Sequence, residues 1–211
     1  MDENKVPCPS EQAIWERRST RSFLPDRVIE PECLEHLLQA AMRAPSPKNR
    51  QPWHFTVVTE KDARARLSGI LSQKLESLKE ERLKRGAGVD DLELARGSVQ
   101  VLRDASALVF VTYIRDPKNE HGDPHDWALS ARPFEAADLQ SIGAAVENLL
   151  LAAASNGIDS LWICDVLYAH QEYRDCLELR EPLAACAALG YRAPHQTPRA
   201  PLEEKVDYWN G

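Results

Sequence analysis

Two short stretches of this 211-residue chain concentrate side chains that bind ligands rather than fill a core. The first, "RRSTR", Arg17 to Arg21, packs three guanidiniums and two hydroxyls into five residues. Each guanidinium offers a planar fork of N–H donors that matches a phosphate, and Ser19 and Thr20 add short donors. The same cluster also suits a solvated charged turn, because basic clusters are common on surfaces. The second, "APSPKNRQPWHF", runs from Ala44 to Phe55. Asn49 and Gln51 can each donate and accept, which suits a heterocycle edge with alternating N–H and C=O groups. Its competing reading is a helix stop and a polar loop, with Trp53 packed into the core.

Other candidates carry less. "GAGVDD", Gly86 to Asp91, has Asp91 where a dinucleotide fingerprint needs its third glycine, and a charged helix precedes it instead of a strand. There is no Walker loop and no G-x-S-x-G elbow. His121, Asp123, His125 and Asp126 are metal-ligand types, yet Gly122 and Pro124 make the segment a loop without helical i,i+4 geometry, so no metal site is expected. Cys164 is followed by Asp165, whose charge would raise a thiol pKa and blunt a nucleophile. A core or backbone-contact role is expected for it.

The elements that must position these residues can be traced along the chain. Ser10 to Arg17 reads as a short helix with Ser10 as N-cap and Ala13 and Ile14 apolar. Pro31 opens a clear helix with Leu34, Leu37, Leu38 and Ala41 on one face, and Pro45 stops it. His54 to Thr59 alternates and is β-branched, as a strand does. Lys61 to Arg85 is helical along Leu67, Leu71, Leu75 and Leu78, with both signs of charge on its exposed face; a second helix runs from about Asp90 to Arg103. Ala107 to Ile114 is a continuous apolar run, the mark of a buried strand. Residues 115–135 are rich in Pro and Gly and read as a variable lid or plain surface loop, with Trp127 and Phe134 as a substrate wall. Asp138 to Asn156 is apolar on most of its circumference and predicts a central buried helix with Gly157 as C-cap. "SLWICDV" is a strand, "HQEYRDCLEL" a helix and "AACAALGY" a last core strand. Helices come first, then helices and strands mixed without a βαβα rhythm. That predicts an α+β fold with a mixed, mainly antiparallel sheet flanked by helices.

Composition fits one domain spanning 1–211, with residues 1–11 flexible. Hydrophobic residues make up 43%, enough for a sizeable core, and the net charge of −7 argues against nucleic acid as the main partner. No apolar run approaches the ~20 residues that span a bilayer. The acidic, polar start is unlike a signal peptide. Five scattered cysteines form no CxxC pair, so free thiols in a reducing cytoplasm are expected.

Taken in order, "RRSTRSF", an amphipathic helix and "APSPKNRQPWHFTVV" resemble the opening of the nitroreductase family of FMN-dependent oxidoreductases. "DLQSIGAAVENLLLAAASNGIDSLWICD" resembles the family's central helix and following strand. "ALGYRAPHQTPRAPLEEKVDYW" is similar to its Gly-Tyr-Pro turn and terminal Arg-Lys-Pro-Leu-Glu-Glu segment. The resemblance covers roughly residues 12 to 209. It implies an intertwined homodimer with FMN at the interface; charge and hydropathy, as above, predict no nucleic-acid or membrane partner. Arg17, Arg18, Ser19 and Arg21 would hold the FMN phosphate and ribityl chain, and Arg199 would add a second phosphate contact. Pro45, Ser46, Asn49 and Gln51 would reach the flavin, partly from the partner subunit. The backbone at Ile163, Cys164 and Asp165 would lie near flavin N5. The resemblance further implies ping-pong transfer of hydride from NADH or NADPH, through N5, to a nitroaromatic, quinone or similar acceptor. No protein acid or base is required, because solvent can supply protons to an open site. Other reactions of the same superfamily, reductive dehalogenation or flavin breakdown, and a non-catalytic FMN-binding role stay open. Two departures stand out. Arg192 occupies the place of the family's usual proline, and Ala200 that of a lysine, which removes one phosphate cation that Arg192 is a candidate to replace.

Overall fold

The computed structural model describes residues 9–115, 132–194 and 205–209. The chain begins with helix α1 (Pro9–Glu16). Ser10 lies inside its first turn, so the expected N-cap role is not what the backbone gives it. Helix α2 (Pro31–Ala41) starts with proline in its first turn, where the missing N–H costs nothing, and buries Leu34, Leu37 and Ala41. Strand β1 (Trp53–Val58) follows the connection over residues 42–52, then come helices α3 (Lys61–Lys84) and α4 (Asp90–Asp104). Strand β2 (Ala107–Tyr113) is buried along its whole length, as its unbroken apolar run requires.

Helix α5 (Arg132–Ser155) begins six residues before the expected Asp138, so the C-terminal end of the expected lid is helical; Trp127 and residues 116–131 lie outside the described residues. Pro133 is tolerated there because it sits in the first turn. At the other end Gly157 has φ 69°. Its N–H donates to Ala154 O at 3.1 Å, and Ile158 N–H donates to Ala153 O at 2.9 Å. This left-handed closure satisfies two of the helix's last carbonyls and turns the chain into strand β3 (Asp159–Ile163). A 3-10 turn (Asp165–Ala169), helix α6 (His170–Cys176) and strand β4 (Leu183–Gly190) complete the order.

The sheet runs β1-β2-β4-β3, and every named pair is antiparallel. Among the described residues, the parallel component of the expected mixed sheet is a single bridge, Ser19 to Ser160, on the outer side of β3. Val111 pairs with Ala185 but Thr112 with Leu183, so Ala184 is an extra residue in β4. The bulge flips Leu183 to the opposite face from Ala185, Ala187 and Leu189.

Each sheet face has its own core. Leu108, Phe110, Ile163 and Cys186 pack with Leu67, Leu71 and Leu92 of α3 and α4 and with Tyr173 of α6. Val109, Val111 and Ala187 pack with Leu37 of α2 and with Ile142, Val146 and Leu149 of α5, where Trp53 is also buried as expected. Each fully buried Leu or Phe contributes about 1.5–3 kcal/mol. The Phe110 and Tyr173 rings meet at 5.4 Å between centroids, and the Tyr173 hydroxyl donates to Leu67 O at 3.0 Å. Burial pushes the Tyr173 phenol and the Cys186 thiol well above their ordinary values. Ion pairs lace α3 to α4, among them Lys79–Glu93 and Arg82–Asp91, each at 2.6 Å. Among the described residues, no helix is long and apolar enough to cross a membrane.

Candidate functional site

The "RRSTR" segment leaves α1 and runs along the outer edge of β3. Thr20 N–H donates to Ser160 O at 2.9 Å, which makes the segment a partial fifth strand. Alternation then sorts its side chains: Thr20 is buried, whereas Ser19 and Arg21 are exposed. Asp159 ties the region together. It accepts from the Thr20 hydroxyl at 3.5 Å, from Arg192 N–H at 3.0 Å and from Arg192 Nε at 3.0 Å. Arg192 also lines one small cleft with Arg17 and Arg18, beside Ser160 and the carboxyl end of α5. Glu16 and Asp159 also line the cleft, so its three cations exceed its carboxylates by one, a balance that suits an anion. The cations also answer the negative end of the α5 dipole, and Arg17 Nε already lies 3.5 Å from Glu147 on that helix.

On the opposite face of β3, a cavity of about 460 Å³ brings Arg21 and Asp165 together. Its far wall is α4, a helix to which the resemblance assigned no role. Ser98 of α4 donates to Asp165 Oδ2 at 2.5 Å, and Tyr168 OH donates to Asp91 Oδ2 at 2.7 Å. These two rungs fix the 3-10 turn that follows β3. The Tyr168 hydroxyl, and then Arg82, hold the Asp91 carboxyl below the usual carboxylate range. Of the residues expected near a flavin N5, Ile163 is buried in the core, Asp165 is half-buried and Cys164 is exposed. The core role expected for Cys164 is therefore excluded; a backbone contact is not. The sulfur faces outward because Leu161 and Ile163 take the α4 side of the strand.

The Asn49 loop lies at the other edge of the sheet, ahead of β1. Its shape is unusual: Lys48, Asn49 and Gln51 have φ of 53°, 53° and 49°, all left-handed without a glycine. Each such residue costs about 1–2 kcal/mol, less for Asn. The loop's own bonds offset part of this. Asn49 N–H donates to Ser46 O and Gln51 N–H to Ser46 Oγ, both at 3.0 Å. The Gln51 amide donates to Asn49 Oδ1 at 2.9 Å, so the two side chains expected to reach a flavin engage each other at the surface. Pro45 is exposed and Ser46 half-buried. The loop's anchor is Arg50, which pairs with Asp138 of α5; Asp138 also accepts from Tyr113 OH at 3.2 Å. Burial, and then the Asp138 charge, push the Tyr113 phenol up to about 12.

The expected site residues thus form two groups. Arg17, Arg18, Ser19, Arg21, Cys164 and Asp165 lie along the outer edge of β3. Pro45, Ser46, Asn49 and Gln51 lie just ahead of β1, the opposite edge strand, and β1 is three strand spacings or about 14 Å from β3 in the sheet plane. Arg199 lies outside the described residues. Ser98, Asp91 and Tyr168 were not expected. Polar residues on a charged helix carry no local signal that they face a cavity.

Comparison with known proteins follows the same outline. The family model described as the Nitroreductase family matches residues 14–191. A relative from Archaeoglobus fulgidus, named provisionally as an NADH dehydrogenase/NAD(P)H nitroreductase, is 35% identical over 150 residues, 71% of this chain and 64% of its own length. A 4-nitrobenzoate reductase from Nocardioides is 26% identical over 231 residues, 91% of this chain and 86% of its own length. Among solved structures, a BluB-like flavoprotein from Clostridium difficile superposes with a TM-score of 0.73 at 25% identity, covering 92% of this chain and 94% of its own. A nitroreductase with bound FMN from Desulfitobacterium hafniense gives 0.74 at 19% identity, covering 97% of this chain and 100% of its own, and bears on the fold alone.

Proposed function

The chain belongs to the nitroreductase family, and on that premise we propose that it is an FMN-dependent NAD(P)H oxidoreductase that reduces a nitroaromatic, quinone or similar small acceptor. The observation that carries this reading is the outer edge of β3, where Arg21 and Asp165 share one cavity and Arg17, Arg18 and Arg192 share a cleft on the other face of the strand. The residues there fit the group. Guanidiniums suit a phosphate, and the chain at exposed Cys164 and half-buried Asp165 suits the edge of a planar ring. When bound, FMN supplies reversible hydride acceptance at N5, chemistry that no side chain offers.

In this reading Arg17 and Arg18 hold the phosphate, with Arg192 in place of the lysine this chain lacks. Ser19 binds the ribityl chain. Arg21 places positive charge where the reduced ring carries negative charge. Ser98 holds Asp165, so the backbone that faces the ring is set before the cofactor arrives. Asn49 and Gln51 exchange their mutual hydrogen bond for the ring's edge. Because that loop lies across the sheet from the arginines, we assign it to the flavin of a second copy, so that each site is completed by two subunits. Donor and acceptor then use one opening in turn, the ping-pong order, and solvent supplies protons.

Purified protein is expected to be yellow, or to become so with FMN, and to bleach when titrated anaerobically with NADH or NADPH. A preparation that neither carries nor gains a flavin spectrum sinks the reading. The shared site further requires a solution mass near twice 23.7 kDa.

A further inference from the structure

We propose that Asp138 is a positioning residue for the Asn49 loop: its buried carboxylate, gripping Arg50 and Tyr113, holds the loop's left-handed backbone and so aims Asn49 and Gln51. The inference rests on the flavin reading for its functional consequence and on geometry for the clamp itself. Asp138 is 1% exposed, on the first half of α5. A carboxylate so placed is costly unless it is paired and hydrogen-bonded. Here it has both an ion pair from the loop and a hydrogen bond from the end of β2. The loop's entry is fixed by Ala44 N–H to Ala41 O at 3.1 Å, and its exit by Ile114 N–H to Pro52 O at 2.9 Å. Between these pins, Pro45, Lys48, Asn49 and Gln51 are exposed. Arg50 carries the loop's ion pair to the core, and its side chain is 19% exposed.

The backbone makes this anchor consequential. Arg50 sits between Asn49 and Gln51, both left-handed, so the direction of its side chain and the rotation of its two neighbours are set together. Releasing Arg50 lets Asn49 and Gln51 relax to ordinary φ values, which swings their amides away from their present direction. The same α5 carries Glu147, the partner of Arg17, nine residues on, or about 14 Å along the axis. One rigid helix therefore holds an element of each group of site residues.

The test uses the full chain without and with FMN. In Asp138→Asn apoprotein, the hydrogen-bonded amides of Asn49 and Gln51 are expected to exchange about tenfold faster, while those of Leu161 and Ile163 on the far edge stay within about twofold. The FMN dissociation constant is expected to rise about tenfold. Adding Asn49→Ala to Asp138→Asn then costs much less than Asn49→Ala alone, because the loop is already misaimed. Unchanged loop exchange, equal acceleration across the sheet, or strictly additive losses would each overturn the clamp. Should Asp138→Asn fail to fold, Tyr113→Phe and Arg50→Lys decide by the same exchange pattern, with smaller increases expected. If wild-type protein binds no FMN, the flavin reading fails and the apoprotein exchange alone decides the clamp.

Discussion

Arg17 is where the ligand-binding and the structural roles of the arginine cluster separate most clearly. Its Nε lies 3.5 Å from Glu147 with side chains 25% and 46% exposed, beside the carboxyl end of α5. As a purely structural group it is worth little. An exposed ion pair gives about 0.2–1 kcal/mol, and a cation at a helix carboxyl end about 0.3–1 kcal/mol. As a phosphate ligand it makes a charged hydrogen bond worth about 1.5–3 kcal/mol, so Arg17→Ala is expected to weaken FMN roughly 10- to 150-fold. Glu147 competes for the same guanidinium. Glu147→Gln is therefore expected to tighten FMN by a few-fold, up to about the value of the exposed pair. Titrating apoprotein against FMN by quenching of flavin fluorescence, alongside urea unfolding, measures both quantities. Loss of stability with an unchanged dissociation constant would make Arg17 a helix cap and refute the phosphate assignment. Tighter binding in Arg17→Ala, or weaker binding in Glu147→Gln, would refute the competition.

Two further outcomes test the frame around the site. A Cβ at Gly190 would lie 2.8 Å from Phe23 Cδ1 and 3.1 Å from Ser106 N, so Gly190→Ala is expected to cost about 1–3 kcal/mol in urea unfolding, and an unchanged midpoint would show that Phe23 has room to move. Tyr113 holds its proton to about 12 when folded and to about 10 when unfolded, so it contributes stability that is full below pH ~10 and lost as the pH rises through ~12. Wild type is expected to lose about 2 kcal/mol more than Tyr113→Phe over that interval, and parallel curves would deny the shift.

The sequence revealed the elements better than their meetings. Helix α2 was legible because Leu34, Leu37 and Ala41 repeat with its period and Pro31 marks its start. The start of α5 was obscured because its first turn carries Arg132 and Pro133, residues that read as loop until the apolar repeat begins. The local motifs, "RRSTR" and the Asn49 loop, could be singled out by residue type alone. Their separation onto opposite sheet edges could not, since it depends on the strand order. Ser98 and Asp165 are 67 residues apart, and Arg50 and Asp138 are 88 apart. No local pattern announces such pairs. The left-handed backbone at Lys48, Asn49 and Gln51 was equally hidden, because the usual mark of that conformation is glycine.

The strand order β1-β2-β4-β3 also dictates a sequence of assembly during synthesis. Strand β1 can pair with β2 as soon as α3 and α4 have been made between them. Strand β3 has β4 as its named partner, and β2 keeps one edge open until the same strand arrives. The Ala107–Tyr113 strand, buried along its whole length in the finished fold, therefore keeps one unpaired edge throughout the making of α5, β3 and α6. Arrival of Leu183–Gly190 closes that edge, recruits β3 and seats the "RRSTR" segment through Ser160 in one step. The outer edge of β3 is thus the last part of the sheet to come into existence, although the "RRSTR" arginines that line it are made before any of the four strands.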